Sequence, residues 1–390
     1  MKTFDLLLVL SYFRSATAYL AVIRHLGSSF RIGIMLTADD PSLRDKTGDA
    51  EVVFMRLCEK FGAERVEPGA EIATRLMIVQ QFPYSDENAA LITGRVTAKR
   101  RVGLMALALA GLEQHDRFLA QFSIEKVYVP SARFMHFLLE RRGAVERYSG
   151  LDIEQVGLPY GAYPVFGDFH ADWLIAAPTL FSFSSEKGKQ AFLDAVLRLL
   201  AQVPAGDVVA YKPHNGNRRD YFVPRLHYAL SALFTSVPGG ERLLRWVARA
   251  APHPIRRPFS RMLTSLLHRD VLKRAVPMQD LTPYADISLE AFLPGVRKGV
   301  IGGLSNTIWG TLYFKLPFFN CVDPADVHHG ESELLNKSSE SLLKLNLQYF
   351  AVPYCGGELA RGSYGDHVFG ADDRSGDLLQ SIKLDLAAVS

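Results

Sequence analysis

A chain of 390 residues is longer than one hydrophobic core usually serves, so two domains of roughly 150 to 200 residues each are expected. Its 48% hydrophobic and 22% charged content is that of an ordinary globular protein and excludes disordered, collagen-like and disulfide-dense chains. The net charge of +3 is too small to argue for nucleic acid, and no nucleic-acid partner is expected.

Residues 4–10 (FDLLLVL) are a short apolar run, followed by a loop at 11–15 and an apolar-periodic segment to about residue 26. This strand, turn and helix are how a Rossmann-like domain begins. Asp5 stands before the uninterrupted apolar stretch from Leu6 to Leu10, Arg14 follows it and no small-residue cleavage site is present, so a signal peptide is not expected. Further strands are expected at 30–36 and 126–129, with helices near 50–61, 97–118 and 132–140. Such alternation implies a mainly parallel sheet. Turn formers then crowd residues 148–169, among them Gly150, Gly157, Pro159, Gly161, Pro164 and Gly167. The domain boundary is placed there, giving a Rossmann-like domain over 1–150 and a second over 165–390.

The alternation restarts with a strand at 173–177, a helix at 186–202 and a strand at 208–211. A helical, basic insertion of about 60 residues, 218–276, interrupts it before a strand at 299–301, a helix from Asn306, a strand at 318–321 and a final helix at 376–386. Residues 241–275 hold nine Lys or Arg against two acids. Basic amphipathic helices of this kind either lie on an anionic membrane surface or pack on the body with their arginines solvated. No stretch of about 18 to 20 apolar residues occurs, so no membrane span is expected.

Three pieces of the second half carry the chemistry: A-P-T at 177–179, K-P-H at 212–214 and G-G-L-S-N-T at 302–307. Lys212 and His214 directly follow a strand, at the carboxyl edge where open α/β sheets bind ligands. Gly302 and Gly303 permit a tight turn, after which Ser305, Asn306 and Thr307 open a helix and offer hydroxyls and unpaired N–H groups to an anion. The alternative reading makes Ser305 or Asn306 a plain helix cap and His214 a turn residue.

This layout resembles the C-terminal domain of GT-B glycosyltransferases, in which two Rossmann-like domains face each other across a cleft. The bacterial wall and capsule transferases are the most similar groups: CDP-glycerol glycerophosphotransferases and the CMP-sugar enzymes that transfer sialic acid or Kdo. The resemblance spans about residues 173–323, less the insertion. It implies that Lys212 and His214 contact the donor phosphate, with Gly303, Ser305, Asn306 and Thr307 beside them. It also implies a nucleotide-sugar donor, a saccharide or lipid-linked saccharide acceptor and no metal or other cofactor. Asn215 stands where that motif has Pro, and Ser305-Asn306 where it has a Ser-Ser or Ser-Thr pair.

Transfer to an acceptor hydroxyl needs a general base, and Glu154 and Asp168, flanking the Gly- and Pro-rich loop, are the carboxylates proposed for it. Ser11 and Arg14, after the first strand, are placed on the acceptor side. The pairs Asp39-Asp40 and Asp372-Asp373 lack the D-x-D spacing after a strand that a metal site would show. Cys58, Cys321 and Cys355 have no paired spacing, which fits a reducing cytoplasm, at the inner membrane face if the acceptor is lipid-linked. Competing readings are a UDP-sugar 2-epimerase of the same architecture, a CDP-glycerol-type transferase and a two-lobed solute receptor. A dehydrogenase is disfavoured, because S-Y-F-R-S rather than G-x-G-x-x-G follows the first strand.

Overall fold

The computed structural model describes residues 1–11, 17–37, 55–81, 84–104, 112–129, 131–141, 143–156, 169–178, 186–213, 269–284, 289–303, 307–323, 352–362 and 378–389. The chain forms two compact units, one of residues 1–167, 332–350 and 365–390 and the other of residues 168–331 and 351–364.

The first unit is a seven-stranded, wholly parallel sheet in the order β3-β2-β1-β4-β5-β6-β7. Its strands are β1 (Lys2–Leu10), β2 (Ile32–Leu36), β3 (Ala63–Val66), β4 (Ile72–Gln80), β5 (Val96–Leu104), β6 (Lys126–Val129) and β7 (Asp152–Gln155). Helices α1 (Thr17–Leu26), α2 (Asp86–Arg95), α3 (Leu112–Phe122) and α4 (Ala132–Arg141) lie between them in sequence. Leu6 to Leu10 are inaccessible to solvent, as a continuous apolar run must be when both faces of a parallel strand are covered. The chain steps outward from β1 to β3 and then returns to the other side of β1 as β4, so the order reverses between β1 and β4.

Residues 97–104, expected as the start of a helix over 97–118, belong instead to strand β5. The run Lys99-Arg100-Arg101 looks like a solvated helix face, but these cations have distant partners. Arg100 pairs with Asp385 at 2.9 Å, and Lys99 donates to the Val389 carbonyl at 3.0 Å.

The second unit repeats the plan in a five-stranded parallel sheet of order β10-β9-β8-β11-β12. Its elements are β8 (Ala171–Ala176), α5 (Glu186–Leu200), β9 (Val209–Lys212), β10 (Met278–Asp280), β11 (Val296–Gly302), α6 (Thr307–Tyr313) and β12 (Phe318–Asn320). Here the reversal falls between β8 and β11. The basic insertion enters between β9 and β10. Most of it lies outside the described residues, but 269–275 are helical, with Arg269 bonded to Asp270 and Lys273 to Asp280.

The closing helix α7 (Leu378–Ala388), which the sequence reading placed with the second domain, belongs to the first unit. It buries Leu378, Ser381, Ile382, Asp385 and Leu386, a stripe at helical spacing. Arg75 of β4 donates to the Leu386 carbonyl at 2.6 Å, a cation at the helix C-terminus where the backbone dipole favours it. Asp385 accepts from Lys126 Nζ at 3.1 Å and from the Tyr128 hydroxyl. Among the described residues no helix is long and apolar enough to cross a membrane.

Candidate functional site at the second switch point

Open α/β sheets bind ligands outside the carboxyl ends of their strands, where the strand order reverses. In the second unit those ends carry Ala177-Pro178 after β8 and Gly302-Gly303 at the end of β11, the two strands flanking the reversal. Lys212 ends β9, immediately beside β8. Two of the three motifs therefore flank the switch point, and the third adjoins it.

The packing is close. A Cβ on Gly302 would lie 3.0 Å from the Ala176 carbonyl oxygen, and one on Gly303 would lie 2.6 Å from Val322 Cγ2 and 2.9 Å from Pro178 Cβ. Only glycine lets β11 leave the sheet at this distance from its neighbours. Lys212 stands opposite Ala176 in the ladder, and its carbonyl accepts from Ala177 N–H at 3.0 Å. Its side chain is buried, and Nζ donates to the Pro213 carbonyl at 3.1 Å. A buried ammonium must be hydrogen-bonded or paired, and this one is held at the strand's carboxyl end.

Asp280, which the sequence reading did not single out, ends the neighbouring strand β10. It accepts from Thr282 N–H at 3.0 Å and from Lys273 Nζ at 2.8 Å. Burial raises its pKa, but these donors outweigh that effect and hold the carboxyl below its ordinary value. Asn320, at the end of β12, is fully buried, and its Oδ1 accepts from Val322 N–H at 3.0 Å. Its position after an apolar Phe-Phe pair was the available signal.

Of the other expected site residues, Thr307 is the first residue of α6. His214, Ser305, Asn306, Asp168 and Arg14 lie outside the described residues, as do Asp39-Asp40 and Asp372-Asp373. Ser11 lies in the first unit at the end of β1, beside that sheet's own reversal. It is buried, and its Oγ has no hydrogen-bond partner among the described residues. Glu154 is on β7, where one carboxylate oxygen accepts from Ser381 Oγ and the other pairs with Lys126. No cluster of three or more potential metal ligands occurs among the described residues.

These strand orders define a chain of two doubly wound, Rossmann-like α/β units. The sequence matches no protein-family model and no curated protein. Among solved structures it is similar to an α/β-galactoside α-2,3-sialyltransferase of the luminous marine bacterium Photobacterium phosphoreum. The identity is 9% and the TM-score 0.44, over 89% of this chain and 95% of that one. It is also similar to the UDP-GlcNAc 2-epimerase of Methanocaldococcus jannaschii, at 12% identity and TM-score 0.42 over 82% and 83% of the two chains. A UDP-forming α,α-trehalose-phosphate synthase of Burkholderia vietnamiensis gives 10% identity and TM-score 0.40 over the whole of both chains.

Proposed function

We propose that this protein is a glycosyltransferase that moves a sugar from a nucleotide-activated donor, CMP-linked Kdo or sialic acid in the first instance, to a saccharide or lipid-linked acceptor. One observation carries the reading. The motifs at 177–178 and 302–303 flank a single switch point, with Lys212 on the adjoining strand, so a cation and a glycine turn sit where a phosphate binds such a sheet. Lys212 and His214 are assigned to the donor phosphate, with Gly303, Ser305, Asn306 and Thr307 forming the turn beside it. Donors aimed at the leaving phosphate stabilise the charge that grows on it as the glycosidic bond breaks.

Ser11 and Arg14 are proposed on the acceptor side, and the unpartnered, buried Ser11 hydroxyl supports a polar ligand there. For the base, the engagement of Glu154 by Lys126 and Ser381 favours Asp168.

The test is a thermal-shift series with CMP, CDP, UMP, UDP, GDP and ADP on the wild type and His214→Ala. A ligand present at 100 times its dissociation constant stabilises by about 2.7 kcal/mol. Cytidine nucleotides are expected to raise the melting temperature of the wild type and to lose most of that effect in His214→Ala. No shift with any nucleotide would refute the donor site.

A further inference from the structure

Cys321 and Cys355 are 34 positions apart in sequence, yet their sulfurs lie 3.7 Å from each other in the second unit. We propose that this pair is an oxidisable dithiol, a site at which a peroxide converts two buried thiols into a disulfide.

The backbone supplies the geometry. Asn320 and Tyr354 form a parallel bridge, and Cys355 N–H donates to the Asn320 carbonyl at 2.9 Å. The cysteines are the next residues on each side, so they stand opposite one another with side chains on the same face. Bridged parallel neighbours lie about 4.8 Å apart, inside the roughly 4.4 to 6.8 Å between α-carbons that a disulfide accepts. Closing the sulfurs from 3.7 Å to a bond of about 2.05 Å is within reach of side-chain rotation.

Reactivity belongs to one member of the pair. The hydrogen bond shared with the Cys321 sulfur, helped against burial by the N–H groups of Gly357 and Glu358, draws Cys355 down to about 7. Gly356 and Gly357 have φ of +61° and +91°, a left-handed turn that side chains disfavour and that brings those N–H groups round to the sulfur. Burial pushes Cys321 the other way, so it remains the thiol that resolves. Cys355 is buried, but Tyr354 and Gly356 on either side are half-exposed, so it lies one residue beneath the surface.

The Cys355 thiolate attacks one peroxide oxygen, the O–O bond breaks, and sulfenic acid and hydroxide form. The Cys321 sulfur then attacks the Cys355 sulfur, the S–O bond breaks, and the proton from Cys321 leaves with that oxygen as water. The hydroxide takes up the proton that Cys355 shed on ionising. Two thiols lose two electrons, and one peroxide becomes two waters. Cys321 N–H also donates to the Gly302 carbonyl at 2.7 Å. The new bond would therefore tie residues 352–362 to the strand end that carries the glycine turn.

The experiment titrates the folded wild-type chain with hydrogen peroxide, then denatures it, alkylates remaining thiols and maps peptides without reduction. The expected result is a Cys321–Cys355 cross-link with Cys58 alkylated. A melting-temperature rise of roughly 5 °C should accompany it and should be absent from Cys321→Ser, in which Cys355 stops as a sulfenic acid that dimedone traps. Recovery of both thiols reduced, sulfinic acid at Cys355 without a cross-link, or linkage to Cys58 in equal yield would overturn the proposal. The wild-type map is decisive even if Cys321→Ser does not fold.

Discussion

Gly303 lies so close to Pro178 that a Cβ built on the glycine would stand 2.9 Å from the proline Cβ. The same atom would meet Val322 at 2.6 Å, so the chain leaving β8 and the chain leaving β12 both press on one missing methyl. Gly303→Ala must displace Pro178 or Val322. It is expected to cost about 1 to 3 kcal/mol of stability through overpacking and to weaken nucleotide binding at least tenfold. Calorimetric melting and nucleotide titration check both parts, and a variant with wild-type values in each would show that the turn is not under this constraint.

Lys212→Met keeps the length and the apolar stem of the side chain while removing the ammonium. A hydrogen bond from a charged group to a phosphate is worth about 1.5 to 3 kcal/mol, so nucleotide affinity should fall by roughly ten- to a hundredfold. Stability should hold or rise, because the desolvation cost of a buried charge disappears. Isothermal titration beside a urea melt separates the two. Unchanged affinity would make Lys212 a purely structural lysine.

Asp385 holds α7 on the first sheet through Lys126, Tyr128 and Arg100. Asp385→Asn leaves Lys126 with only part of its buried partnership, at an expected cost of about 3 kcal/mol. Burial works to lower the pKa of Lys126, but its hydrogen bonds to Glu154 and Asp385 outweigh that and raise it. A lysine raised on folding contributes stability that is complete below its unfolded value of about 10.4 and is lost as pH climbs through the folded one. Burial, then Asp385, also pushes the Tyr128 phenol well up, so its contribution likewise fades above its unfolded value. Urea melts of the wild type at rising alkaline pH should show this loss, and Asp385→Asn should flatten it.

Glu154→Gln keeps the acceptor for Ser381 and weakens only the pair with Lys126. It should lower stability by about 1 kcal/mol and leave nucleotide affinity unchanged, because its contacts all lie within the first unit. Loss of turnover at unchanged stability would instead restore Glu154 as the base.

The strands whose burial comes from local apolar runs were readable from sequence alone. Residues 126–129 were expected and observed as one strand, and 208–211 differs from Val209–Lys212 by a single step. What escaped depends on partners far away. Arg75 interrupts β4 and hides it until Asp5 and the end of α7 are seen to bind it. The closing helix was assigned by sequence adjacency, whereas Tyr128, which donates to its Asp385, lies 257 residues earlier. The A-P, K-P and G-G motifs were legible because each stands at the carboxyl end of a strand. The Cys321 and Cys355 pair was not, because no short spacing announces it and only the bridge at Asn320 and Tyr354 brings it together.

The acidity of Cys355 provides a further prediction that needs no oxidant. Its thiol is drawn to about 7, first by the Cys321 hydrogen bond and then, against burial, by backbone N–H groups. A thiol lowered from about 8.5 in the unfolded chain contributes stability that is present above that value and is lost as pH falls through the folded one. Thiolate ultraviolet absorbance of the Cys58→Ser protein should therefore rise with a midpoint near 7. Cys321→Ser retains a hydroxyl donor and should keep the midpoint low, whereas Cys321→Ala removes the donor and should move it toward the ordinary thiol range. Equal midpoints in the alanine and serine variants would mean that the backbone N–H groups, rather than Cys321, hold the charge.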